Sequence, residues 1–281
     1  MSTSTEIKPC LPLQPYVRCF VLRKFDTKGF DIEKPIHALH ECGISFTIKG
    51  IIKIKLSGSI VSQTYSHSSL VVGLQTSFKG AMVLNGVYSI FCIKFKPNGL
   101  FNICGIPLDL ITNRIPLGSE IFGPDISILE NQLEESKSIE QMACYAENFL
   151  LNLLLKKKMV NHVKFISKAS DCILLQGGYA NIQHLAKTAN MSMRSFERNF
   201  TEQVGISPKL FARITRFNDA VELKLSQPDK NWTAITYLCN YHDQTHLIKD
   251  FKSFSGETPF TFFGHLVPEN QKLKAIVKPS F

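Results

Sequence analysis

Between residues 16 and 95, short apolar runs alternate with turn residues. YVRCFVLRKF, GISFTIKGIIKIKLSG, SLVVGLQTSF and YSIFCIKFK are rich in Ile, Val, Phe and Thr, and Gly, Ser and Asn separate them. Such runs predict strands, so the first part of the chain is expected to be a β-rich, barrel-like domain. Beyond Pro97 the segments GLFNICGI, LDLITN and IPLGSEIFG read as short helices that close this domain. From Ile126 the apolar period becomes helical through Leu129 and Leu133. It continues through Ile139, Met142, Ala146, Phe149, Leu150, Leu153 and Leu154, with Ser138 and Gln141 placed as a capping box. The KKK run at 156–158 reads as a solvated helix end, where cations suit the helix dipole. One more helix, VNHVKFISKASDCILL, leads to Gly177 and Gly178, the natural domain boundary.

After Gly178 the chain repeats itself. A shift of 50 residues pairs Ile182 with Trp232, Leu185 with Ile235, Ala186 with Thr236, Ala189 with Cys239 and Asn190 with Asn240. One inserted residue later, a shift of 51 pairs Ser192 with Asp243, Phe196 with Leu247, Phe200 with Phe251, Gly205 with Gly256 and Pro208 with Pro259. Each copy has a short apolar-faced helix, an Asn suited to a left-handed turn, a capping residue and a second helix ended by Gly. This is the layout of a helix-turn-helix, twice over. Ser207 and Pro208 open a connecting helix, PKLFARITRFNDAVELKLSQ, apolar through Phe211, Ile214, Phe217, Ala220, Val221 and Leu225. In the second helix of the first copy, Phe196 and Phe200 turn inward and Arg194, Glu197, Arg198 and Thr201 lie opposite.

The expected fold class is α+β, with an all-α C-terminal domain of two helix-turn-helix motifs joined by a linker helix. The expected division is 1–160 as a β-rich sensor or dimerisation domain with C-terminal helices, 161–178 as a linker helix with the Gly-Gly boundary, 179–265 as the double motif and 266–281 as a flexible tail. The longest apolar stretch, FLLNLLL, is far too short for a membrane span, and the N-terminus carries no secretory pattern. A cytoplasmic protein with no membrane partner is expected. Eight scattered cysteines without a CxxC pair read as free thiols. The net charge of +9 suits a polyanionic partner, although residues 178–265 hold only 10 Lys and Arg against 8 Asp and Glu.

These residues resemble the AraC/XylS family of bacterial transcription regulators. The likeness covers about residues 165–263 and is most specific in NYHDQTHLIKDFKSFSGETP, similar to the family's second recognition helix and closing turn. Asn240 stands where the family usually has Gly, and Thr236 where it usually has Ala. PLQPYVRCFV, VVGLQTSF and FKPNGLFNICGIPLDLITNRIPLG are similar to the sensor region of a subgroup. The resemblance implies double-stranded DNA bound in the major groove, a small-molecule effector or partner protein at the N-terminal domain, and no cofactor. It implies RNA polymerase as a partner if the outcome is activation, the commoner behaviour in the family. A homodimer through the helices at 126–158 is a further expectation.

By the same resemblance, Arg194, Glu197 and Arg198 are the groove-facing positions of the first recognition helix. Gln244, Thr245, Ile248 and Lys249 are their equivalents in the second. Arg and Lys suit guanine, Glu suits cytosine, Gln suits adenine, and Ile or a Thr methyl suits the thymine methyl. Arg213 and Arg216 on the connecting helix are either phosphate contacts or solvated. Two rival readings remain: a non-regulatory architectural DNA binder, and a metal hydrolase built on His242-Asp243-Gln244-Thr245-His246, which differs from HExxH by one methylene. The repeat argues against the hydrolase, because it sets Asp243 opposite the capping Ser192, so the helix begins after His242. His37, His40, Glu41 and Cys42 form the other metal-capable cluster and lack a spaced second pair. No metal, no catalytic residue and no bond chemistry are expected.

Overall fold

The computed structural model of the chain describes residues 2–56, 62–66, 68–156 and 163–266. The tail after 266 and most of the KKK run therefore lie outside the described residues. The β region contains β1 (Thr3–Ile7), β2 (Val17–Asp26), β3 (Ile32–Ile36), β4 (Gly43–Lys49), β5 (Ile52–Leu56), β6 (Ser62–Tyr65), β7 (Ser69–Val72), β8 (Gly80–Leu84) and β9 (Val87–Phe95). They form two antiparallel sheets, ordered β1-β2-β9-β4-β7 and β3-β8-β5-β6. The expectation of a barrel-like domain is corrected here: the sheets stay open and face each other. Gly50 marks the corner where the chain leaves one sheet for the other, at φ 103°, and a Cβ there would run into the Tyr88 ring.

The large sheet is covered on both faces, which explains why β2 and β9 read as nearly unbroken apolar runs. Phe20, Leu22, Ile44, Phe46, Phe91, Ile93 and Phe95 point to one side. There they meet α1 (Gly99–Cys104), α2 (Gly118–Phe122), α3 (Asp125–Glu135) and α4 (Ile139–Lys156), which bury Leu100, Ile126, Leu129, Leu133, Met142, Ala146 and Leu150. Phe25 and Tyr88 point to the other side and pack with Ile36, Ile52, Ile54 and Leu84 of the smaller sheet. Each fully buried side chain of this size stabilises the fold by about 1.5 to 3 kcal/mol.

The helical region comprises α5 (Val163–Leu175), α6 (Ile182–Thr188), α7 (Met193–Val204), α8 (Pro208–Ser226), α9 (Trp232–Leu238), α10 (Gln244–Ser255) and α11 (Pro259–Leu266). Its core is largely aromatic: Phe196, Phe200, Phe211, Phe217, Phe251, Phe254, Phe262 and Phe263, joined by Ile166 and Ile173 of α5.

Two residues of the β region, Ala38 and Leu74, belong to that helical core. Ala38 is fully buried, its N–H donates to Phe254 O (2.9 Å), and its carbonyl accepts from Asn218 Nδ2 (3.0 Å). The His40 N–H donates to Asn218 Oδ1 at 3.3 Å. The His37 ring meets Phe217 and Phe262 edge-on, each at 5.7 Å, and His40 meets Phe211. On the other flank Thr112 Oγ1 donates to Gly205 O (2.8 Å), and Asn98 Nδ2 donates to Gln203 Oε1 (3.3 Å). Gly205 sits at φ 101° against Thr112, where a Cβ would come within 2.6 Å of Oγ1. Both flanks of the helical region are thus tied to the β region.

Burial pushes the His37 imidazole down from 6.5 to about 4; its bond to Ala38 O opposes this, and the Lys34 charge adds to it. The unfolded chain protonates near 6.5 and the folded chain only near 4, so stability is lost as pH falls through that window. Between pH 6.5 and 4.5 the wild type should lose about 2 kcal/mol more than His37→Gln in chemical denaturation. Parallel pH profiles would show that the His37 ring is not the source of this acid sensitivity.

Candidate nucleic-acid interface

Each helix-turn-helix is assembled from local chemistry that recurs in the two copies. The Asn181 side chain accepts from the His184 N–H and opens α6, and Asn231 accepts from Ala234 and opens α9. The turns pass through Asn190 at φ 54° and Asn240 at φ 56°, the left-handed conformation that Asn tolerates. Asn240 therefore does the work of the Gly that the resemblance calls for. Thr236 is buried, with its hydroxyl donated to Trp232 O (2.7 Å), so the larger residue is accommodated.

Ser192 caps α7 by accepting from the Ser195 N–H (3.2 Å), and Asp243 caps α10 by accepting from the His246 N–H (2.7 Å). That backbone bond, followed by the hydrogen bond with His242, holds the Asp243 carboxyl below the usual range, so it is an anion at a helix N-terminus. HDQTH is thus a cap and a first turn. His242 precedes the helix and reaches Asp243 Oδ2 (3.2 Å), while the His246 ring lies 4.0 Å from Asp250 Oδ2. The two imidazoles are turned to different carboxylates.

Arg194, Glu197 and Arg198 are exposed on α7, opposite the buried Phe196 and Phe200. Gln244, Thr245, Ile248 and Lys249 are exposed on α10, opposite the buried Leu247 and Phe251. Gln244 Nε2 also donates to Thr233 Oγ1 of α9 (2.6 Å), which ties its amide to the preceding helix. The hydrogen bonds from the β region to this part of the helical region fall near the C-terminal ends of α7 and α10, at Gln203, Gly205 and Phe254, and these seven side chains are exposed.

Sequence reasoning missed the residues that hold α10 against α8. Asp250 is on the recognition helix yet only 1% exposed, and Arg213 of α8 donates to its Oδ1 from Nη2 (2.6 Å) and Nε (3.3 Å). Arg216 donates to Gly178 O (3.2 Å) and lies over the Tyr241 ring. Burial, then the Asp250 charge, pushes the Tyr241 phenol well up, keeping it neutral. These two arginines, left open between phosphate and solvent, are structural in this arrangement. The His37 cluster is likewise a packing site: both imidazoles seat against aromatic rings, and Glu41 pairs with Arg18 (2.9 Å) and Lys94 (3.5 Å). Among the described residues no group of three His, Cys, Asp or Glu is placed to hold a metal ion. None of the eight cysteines is in a disulfide.

Two exposed recognition helices carried on one connecting helix define a helix-turn-helix DNA-binding protein. Residues 185–264 match a family model described as a helix-turn-helix domain, and residues 5–116 match a domain of unknown function, DUF6597. With its double motif, the chain resembles transcription regulators of the AraC/XylS type. Among solved structures, ToxT from Vibrio cholerae is 12% identical, with 89% of this chain and 98% of that one covered at a TM-score of 0.48. An unsaturated-fatty-acid-bound form of wild-type ToxT is 13% identical, covering 86% and 94% at 0.49. The EutQ protein of Clostridium difficile is 13% identical over 34% of this chain and 67% of its own, at 0.23. No curated protein matches the sequence. No helix among the described residues is long and apolar enough to cross a membrane.

The caps provide a direct check on this architecture. Asp243→Ala and Ser192→Ala should each cost about 1 kcal/mol in thermal or chemical denaturation. Asp243→Asn, which keeps an acceptor, should stay close to wild type. An Asp243→Ala protein as stable as wild type would mean that the helix does not begin where the cap places it.

Proposed function

We propose that the chain is a sequence-specific, effector-responsive transcription regulator. In this reading Arg194, Glu197 and Arg198 face one major groove while Gln244, Thr245, Ile248 and Lys249 face the next. The observation that carries it is that all seven side chains are exposed on two second helices built on one connecting helix. Arg194 and Arg198 are two turnable forks for guanine edges, and Glu197 between them is an acceptor for cytosine N4. Lys249 supplies a charge for guanine or phosphate. Residues 1–160 act as the sensor, and activation is the outcome that the family resemblance implies.

A second copy is part of the proposal. A groove of about 610 Å³ runs between α3 and α4, lined by Leu129, Tyr145, Phe149 and Leu153, with Ile128 62% and Leu155 83% exposed at its rim. Apolar side chains this open on the two sensor helices support pairing through that face.

Titration of the protein's own upstream DNA and of a scrambled duplex, at one fixed salt concentration, tests the reading. Affinity for the upstream DNA should exceed the other by about 10³-fold or more, with two protomers per site. Arg198→Ala should weaken binding and relax the preference at one base pair, by about 1 to 3 kcal/mol. Equal affinity for both duplexes would leave an architectural DNA binder, and one protomer per site would remove the dimer.

A further inference from the structure

Thr233 is the second residue of α9 and Gln244 the first of α10, so each stands at the opening of its own helix. Gln244 Nε2 donates to Thr233 Oγ1 at 2.6 Å, with both side chains exposed. Neither residue is the cap of its helix. Asn231 opens α9 by accepting from the Ala234 N–H (2.7 Å), and Asp243 opens α10. The internal repeat shows that the fold does not require the bond. The shifts of 50 and 51 residues set Gln183 in the place of Thr233 and Met193 in the place of Gln244. A methionine thioether has no proton to donate, yet α6 and α7 form with the same caps as α9 and α10. The bond is therefore an addition of the second motif, made on the face proposed to meet DNA.

A glutamine amide carries one acceptor oxygen and two N–H donors. Unrestrained, it turns about its last torsion and can present either end to a base edge. With one N–H committed to Thr233, the amide keeps Oε1 and one N–H, held at a fixed rotation. That pair complements the adenine edge in the major groove, where an N6 donor lies beside the N7 acceptor. It mismatches guanine, whose O6 would face Oε1 with no proton between them. Released from Thr233, the amide can turn both N–H groups toward O6 and N7, and the distinction fades. The bond also spends the rotamer freedom of Gln244 before DNA arrives.

We propose that Thr233 is a positioning residue for Gln244, fixing its amide so that the second motif selects adenine over guanine at one base pair. This deepens the reading above, in which Gln244 faces a major groove, and rests on it. Thr233 acts through Gln244 and touches no base itself. The first motif, with Met193 at the equivalent place, has no such device.

The test uses the full chain and its own upstream DNA, with each A·T pair of the bound site exchanged in turn for G·C and each G·C for A·T, at one fixed salt concentration. Gln244→Ala locates the position: the preference lost there should be for adenine and about tenfold. At that position Thr233→Val should shrink the adenine preference by about three- to tenfold. Its melting midpoint and its affinities for the other exchanged duplexes should follow wild type. Thr233→Ser, which keeps the hydroxyl, should restore the preference. An intact adenine preference in Thr233→Val overturns the positioning role and leaves the groove reading of Gln244 standing. A uniform loss across all duplexes, or Thr233→Ser as defective as Thr233→Val, does the same, since a merely structural threonine would behave so. A Gln244-dependent preference for guanine would mean that the hydroxyl donates to Oε1 instead, and it too overturns the proposal. If Gln244→Ala alters no preference, the groove reading of Gln244 fails and takes the proposal with it.

Discussion

Helix α8 is the wall that the other parts of the molecule share. Helices of seven residues such as α6 and α9 cannot hold themselves together, because too few hydrogen bonds repay the first turn. Both motifs solve this by burying aromatic side chains on α8: Phe200 against Phe211 in the first, Phe251 and Phe254 against Phe217 in the second. The β region uses the same helix. His40 leans on Phe211, His37 on Phe217, and Ala38 is held by Asn218. Nine of the helix's residues are buried, among them Thr215 and Asn218, which spend their polar groups on Phe211 O and Ala38 O. A helix packed from this many sides has little freedom to reorient for one neighbour without disturbing another.

From this follows a physical link between the β region and the two exposed helices. The Ala38 loop reaches the C-terminal turn of α10, and Thr112 reaches that of α7, while the exposed faces of both helices stay open. The β region thus bears on the angle and spacing of the recognition helices without covering them. Its sheets place the charged groups Lys34 and Glu41 at opposite ends of the same loop.

The double motif was legible because its signals are local and repeated. Caps, left-handed Asn turns and Gly stops each act within four residues, and the second copy independently restates the first. Sheet pairing was less so. β2, β4, β7 and β9 announce themselves as apolar runs, whereas β1 is almost wholly exposed and β3, IEKPI, carries Glu, Lys and Pro. Their strand character comes from partners far along the chain, such as Ile32 opposite Leu84. The joint was hidden for the same reason: Ala38 and Asn218 are 180 residues apart, and an Asn on a helix ordinarily reads as solvent-facing. Asp250 was equally hidden, since a carboxylate on a recognition helix reads as a groove contact until Arg213 is seen beside it. The exposed residues of α7 and α10 were legible as a surface, because the helical period sets them opposite the apolar face.

The central claim is that the β region and both reading motifs are joined as one body through Asn218 on α8. Amide hydrogen exchange of the full chain, comparing wild type with Asn218→Ala, tests it most directly. Loss of the joint should speed exchange at Ala38 and His40 and also in the C-terminal turns of α7 and α10, with the interior of α8 still protected. Faster exchange confined to the Ala38 loop, with both C-terminal turns as protected as in wild type, would contradict the account.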